Sequence, residues 1–176
     1  VALITRALLF FSYPSAMSGD TCWVAKESIF GLGNDLADGF TMATPLGEAA
    51  TSGVPAFSCD QVIGLIPGSI GETSVIAIAI GALILLWSGV ASWKTMLSVF
   101  VGGALMGWIF NQFGSESNHV AMMPWYQHIV LGGFCFGAVF MATDPVTSAR
   151  TEKGKFIYGF LIGVMAIVIR VLNPGY

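Results

Sequence analysis

The sequence predicts an all-α integral membrane protein, a multi-span helical bundle with a long ordered external loop. Two observations carry that prediction. Of 176 residues, 55% are hydrophobic and 10% charged, and the mean hydropathy is +0.78; a soluble domain carries about 25% charged residues. The second observation is pattern. Residues 73–93, 95–115 and 120–143 are free of Asp, Glu, Lys and Arg, and a fourth apolar run, 156–169, is closed by Arg170. A bilayer core of roughly 30 Å takes about 20 helical residues. The 22 glycines fit close helix approach in a membrane. The net charge of −3 with no basic stripe argues against a nucleic-acid partner.

Residues 1–12 are apolar apart from Thr5, Arg6 and Ser12, too short to span, and are broken by Pro14. They read as the end of a transmembrane helix, and the whole chain as a piece of a longer membrane domain, incomplete at both ends. Residues 13–72 form the long polar connection. They hold seven acids (Asp20, Glu27, Asp35, Asp38, Glu48, Asp60 and Glu72) against one base, Lys26. Trp23, Phe30, Phe40 and Phe57 argue that this external loop is ordered, and a loop of that length in a compact protein carries function when ordered. Gly31-Leu32-Gly33 has no strand before it and reads as a turn. Ser69 and Glu72 have capping-box spacing, so a helix is expected to start there. Its amide-rich entry, with Gly68 and Gly71, can also face an anionic group.

Residues 73–172 are expected to hold about four transmembrane helices, with Lys94 interrupting the first two. His128, beside Trp125 and Tyr126, reads as an interfacial residue. Cys135 reads as a small apolar filler; Cys22 and Cys59 could in principle pair, which spacing alone does not show, and no metal-ligand cluster is visible. Alternating spans put Lys94 and the Arg150/Lys153/Lys155 group on one side. The long loop and the 116–123 connection fall on the other. Basic residues mark the cytoplasmic side, so the loop is expected to be periplasmic.

Within that loop, Asp38-Gly39-Phe40-Thr41-Met42-Ala43-Thr44-Pro45 brings an acid, two threonines and small residues together. Three readings of Thr44 stand open on local grounds. As a nucleophile it needs an activating base, and the loop has no histidine. As a residue before Pro45 it can simply be part of a turn. As an acceptor for an attached group it needs an accessible hydroxyl with small neighbours, and Ala43 and Asp38 fit that.

The pattern Asp38-x-x-Thr41-x-Ala43-Thr44 resembles the flavin-transferase acceptor motif, whose last threonine is joined to FMN by a phosphodiester. Further blocks occur in order: Arg6-Ala7-Leu8-Leu9-Phe10-Phe11-Ser12-Tyr13-Pro14 with Ser18-Gly19-Asp20, then Ile66-Pro67-Gly68-Ser69-Ile70-Gly71-Glu72, Met141-Ala142-Thr143-Asp144-Pro145-Val146, Leu161-Ile162-Gly163-Val164-Met165 and Ile169-Arg170-Val171-Leu172-Asn173-Pro174. Together they resemble the B-subunit family of the sodium-translocating NADH:quinone oxidoreductase across nearly the whole chain. One departure is local: that family often has Ser-Gly-Ala-Thr at the acceptor, and Thr41-Met42-Ala43-Thr44 is closer to the related D subunit of the Rnf complex.

The resemblance implies a redox membrane subunit, not catalytic alone, in the bacterial inner membrane. Thr44 would carry covalent FMN, with Asp38 serving transferase recognition and local hydrogen bonding, Thr41 a second hydroxyl near the phosphate, and Ala43 a small neighbour. Gly68, Ser69 and Gly71 would contact the phosphate or flavin. Implied partners are the other subunits of the complex, a flavin transferase, quinone, sodium ion and the lipid bilayer, with riboflavin elsewhere in the complex. Asp144 is either a turn residue or an acid on an ion path, since acids within membrane segments are functional candidates. The competing classes are the Rnf D subunit and a urea-transporter-like channel without a redox role.

Overall fold

The computed structural model describes residues 2–13, 53, 57, 62–64, 74–114 and 118–172. Among these residues there are helices and no strands. The helices are α1 (Ala2–Ser12), α2 (Val75–Trp87), α3 (Trp93–Phe113), α4 (Trp125–Val130), α5 (Phe134–Phe136), the π-helical segment Gly137–Met141 that continues α5, and α6 (Glu152–Leu172). Two of them, α3 and α6, are long and apolar enough to cross a membrane.

The centre of the fold is the α3–α6 pair. Backbone meets backbone along it. A Cβ on Gly163 would lie 2.2 Å from the Val99 carbonyl oxygen, one on Gly159 2.7 Å from that of Thr95, and one on Gly102 2.5 Å from that of Phe160. Small residues spaced four apart put such a close seam on one helix face, because successive turns stack there. Ser98 Oγ donates across the seam to the Phe156 carbonyl at 2.5 Å. Lys94 pairs with Glu152 where both helices begin. The partners 94–152, 98–156 and 102–160 keep a constant offset, so α3 and α6 run parallel.

Parallel neighbours need a return path. The 118–143 stretch supplies it. Asn118 Nδ2 donates to the Val171 carbonyl (2.9 Å), and Asn111 Nδ2 to that of Met122 (2.8 Å), both at the C-terminal ends of the pair. Farther along, Phe134 packs against Phe100 and fills the notch at Gly103. Thr143 lines a hollow with Lys94 and Glu152 at the opposite end. One core cluster, with Val99, Phe134, Ala138 and Ile167, joins these three elements. A second, with Ile78, Met96, Cys135 and Val139, fastens α2 to them.

Four expectations about the elements are corrected. The uncharged run 73–93 is not one helix: α2 stops at Trp87, and Gly89 turns the chain at φ +71° into α3. Lys94 therefore lies in the first turn of α3 and interrupts nothing. The run 120–143 is broken at Leu131–Gly133. The last helix begins at Glu152, ahead of the apolar run, because Thr151 Oγ1 accepts from Gly154 N at 3.2 Å and caps it. The described cap of α2 is Ser74, whose Oγ accepts from Ala77 N at 3.3 Å; the Ser69–Glu72 box lies outside the described residues. Before Pro14, α1 closes with Tyr13 N donating to the Leu9 carbonyl (2.8 Å).

Candidate functional site

Asp38, Thr41, Ala43, Thr44, Gly68, Ser69 and Gly71 all lie outside the described residues. From the same connection, Phe57 is placed: its ring meets Tyr126 edge-on at 5.5 Å, at the start of α4.

The described residues that depart most from regular packing surround the break in the returning segment. α4 ends with Leu131 N donating to the Gln127 carbonyl at 2.9 Å. Gly132 and Gly133 follow with φ +73° and +68°, consecutive left-handed residues that a side chain would strain. The break frees carbonyl oxygens inside an apolar bundle. Arg170, buried at 9% exposure, answers them from α6: Nη1 donates to the His128 carbonyl at 2.6 Å and Nη2 to that of Gly132 at 3.0 Å. A guanidinium suits this task because its planar fork reaches two acceptors at once. Past the break the helix widens into a π turn, with Ala142 N donating five residues back to the Gly137 carbonyl (2.8 Å).

A cavity of about 400 Å³ opens beside the break, between Val99, Phe134, Ala138, Tyr158, Ile162 and Arg170. Its walls are mostly apolar, with Arg170 at one side. His128, expected at the interface, is instead fully buried against Gly107. The reason is geometric: the missing Cβ of Gly107 leaves room for the ring. Both ring nitrogens lack a hydrogen-bond partner among the described residues. Cys135 is buried as expected of a filler, and its Sγ–H reaches the Ile129 carbonyl at 3.2 Å.

Asp144 sits at the far end of the returning segment. Oδ1 accepts from Val146 N at 3.2 Å and Oδ2 from Thr147 Oγ1 at 3.0 Å, which closes a local turn. It also lines a cavity of about 540 Å³ with Phe140, Met141, Thr143 and Val90. Among the described residues no group of three or more His, Cys, Asp or Glu is placed to hold a metal.

Sequence reasoning missed the role of Arg170, which reads as a charge that merely closes an apolar run. The available signal was periodicity: Gly159, Gly163, Ile167 and Arg170 share the buried helix face, so this arginine had to point into the bundle. The paired glycines Gly132-Gly133 were the visible sign of the break.

The whole chain, residues 1–176, matches the family described as NQR2, RnfD, RnfE. A protein of Chromohalobacter salexigens, named as the B subunit of the Na(+)-translocating NADH-quinone reductase, is 52% identical over 99% of this chain. Proteins of the same name from Klebsiella pneumoniae and Pseudomonas aeruginosa are 48% and 45% identical, again over 99%. The chain spans 41% of the length of the first and 42% of the other two. With the match spanning residues 1–176, the chain belongs to the NQR2, RnfD, RnfE family.

Proposed function

We propose that this chain is the FMN-anchoring part of the B subunit of a sodium-translocating NADH–quinone reductase. It holds FMN through a phosphodiester to Thr44 and relays electrons in a complex that exports sodium. The observation that carries the reading is the identity of 45–52% over 99% of the chain to proteins bearing that name, together with Asp38-x-x-Thr41-x-Ala43-Thr44 in this sequence. The donor chemistry fits: a threonine hydroxyl between small residues can be esterified by the phosphate of FMN. Bound there, FMN supplies the redox chemistry. The chain supplies the tether at Thr44, hydroxyl and carboxylate contacts from Thr41 and Asp38, and backbone amides near Gly68, Ser69 and Gly71.

In this reading the protein is a multi-span bundle of the bacterial inner membrane, with the Thr44 loop periplasmic. Its support is positional. The basic residues Lys94 and Lys155 gather at one end of α3–α6. Phe57, from the Thr44 loop, meets Tyr126 toward the other. The partners are the remaining subunits, a flavin transferase, quinone and sodium ion, with riboflavin elsewhere in the complex. Asp144, whose carboxylate faces a cavity beside Phe140, is assigned to the ion path as well as to its turn.

The test is direct. Protein from its native membrane, or made together with the flavin transferase, should fluoresce as a flavin band on a denaturing gel. The Thr44 peptide should be heavier by FMN less water, and Thr44→Ala should abolish both signals. A dark band with an unmodified Thr44 peptide would favour a urea-transporter-like channel. The Rnf D subunit is the second reading, favoured by Thr41-Met42-Ala43-Thr44; co-purification with a ferredoxin-linked module in place of an NADH-linked one would select it. For Asp144, the Asp144→Asn complex should need more sodium for half-maximal turnover, and an unchanged sodium dependence would remove it from the path.

A further inference from the structure

At the end where α3 and α6 begin, a cavity of about 440 Å³ is lined by Lys94, Arg150, Lys155, Glu152, Ser92 and Ser148, among others. Three cations face one carboxylate. Glu152 receives Lys94 and, at 2.9 Å, Lys155, which aims both ammonium groups along the wall while using one of the three donors on each. Arg150 has no carboxylate partner among the described residues. The two lysine side chains are 29% and 23% exposed, so they are built into the wall and not extended into solvent. Ser92 precedes α3, but its hydroxyl makes no capping bond to the helix.

The surroundings are apolar and outward-facing. Val90 and Trp93, which line the cavity, are exposed, as are Trp87 at the end of α2 and Leu97, Phe156 and Ile157 one turn further along α3 and α6. A basic, hydroxyl-bearing hollow above an apolar flank, with tryptophans at its level, has the chemistry of a membrane interface on the basic side. A free phosphate ester would use the cations but would gain nothing from the apolar flank. We propose that this cavity seats the phosphate headgroup of an anionic phospholipid, whose acyl chains lie along the exposed flank of α3 and α6. The assignment rests on the reading of α3 and α6 as membrane helices.

The test uses the intact protein in its complex. Native mass spectrometry after mild detergent extraction reads retained lipid. Delipidated complex is then titrated with phosphatidylglycerol, with phosphatidylcholine and with inorganic phosphate. Phosphatidylglycerol should be retained in preference to phosphatidylcholine. Arg150→Gln, which breaks no ion pair among the described residues, should weaken that binding about fivefold, and Arg150→Lys should restore most of it. Equal retention of the two lipids, unchanged binding in Arg150→Gln, or displacement of lipid by inorganic phosphate would each overturn the proposal. Carbonate washing of native membranes tests the underlying reading separately: release of the protein to the supernatant would remove the membrane assignment, and the headgroup site with it.

Discussion

Arg170 shows how one residue holds an irregular backbone inside an apolar bundle. A helix interrupted away from water leaves carbonyl groups that cost free energy unless paired. Two of them, on His128 and Gly132, are satisfied by the guanidinium. Removing it leaves both acceptors without the guanidinium and enlarges the cavity that Arg170 lines. Arg170→Ala should therefore cost about 3 kcal/mol of stability, the scale of losing charged hydrogen bonds at a buried site. Arg170→Lys should recover only part, since a single ammonium on a flexible stem does not reproduce the fork. Thermal unfolding of the detergent-solubilised protein, followed by loss of helical circular dichroism, checks this. A Lys variant as stable as the parent would show that charge alone suffices.

The elements were legible where apolar runs had polar or capped ends, and obscure where they did not. The charges flanking residues 95–115 marked α3 to within two residues at each end, whereas the run 156–169 marked only the middle of α6, which extends from Glu152 to Leu172. The stop of α2 escaped because Ser88-Gly89-Val90-Ala91-Ser92 carries no charge; the signal was one glycine between serines, and the turn depends on its left-handed backbone. The break at Gly132-Gly133 escaped for the same reason, since hydropathy does not register backbone geometry. His128 looked interfacial beside Trp125 and Tyr126; burial depended on Gly107, which is distant in sequence. The motif Asp38-x-x-Thr41-x-Ala43-Thr44 is visible in the sequence, but its residues lie outside the described ones. At the element scale the glycine seam makes a paired prediction. Gly163→Ala puts a Cβ 2.2 Å from the Val99 carbonyl oxygen, whereas at Gly137 nothing lies within 4 Å of one. Forced separation of α3 from α6 should cost about 1–3 kcal/mol, while Gly137→Ala should be close to neutral. Melting temperatures of the two variants, measured side by side, decide it; equal shifts would mean that the seam relaxes freely.

On the scale of the whole molecule, the parallel course of α3 and α6 constrains topology more tightly than charge counting does. Both helices begin at the Lys94–Glu152 pair and end near Asn118. If both cross the bilayer, the stretch between them must cross it in the opposite sense, although its break leaves neither half long enough to be recognised as a span. A two-span reading without that return would place Lys94 and Glu152 on opposite sides and is incompatible with their ion pair. On the proposed orientation, the positive-inside preference predicts Ser148, in the Lys94 cavity, at the cytoplasmic face and exposed His119, in the Asn118 turn, at the opposite face. Single cysteines at these positions, in a chain otherwise cleared of cysteine, make the prediction measurable with a membrane-impermeant maleimide. His119→Cys should label in intact cells, and Ser148→Cys only after the membrane is opened. The reverse pattern would invert the orientation and carry the Thr44 loop to the cytoplasm; labelling of both from outside would break the link between the parallel helices and membrane crossing.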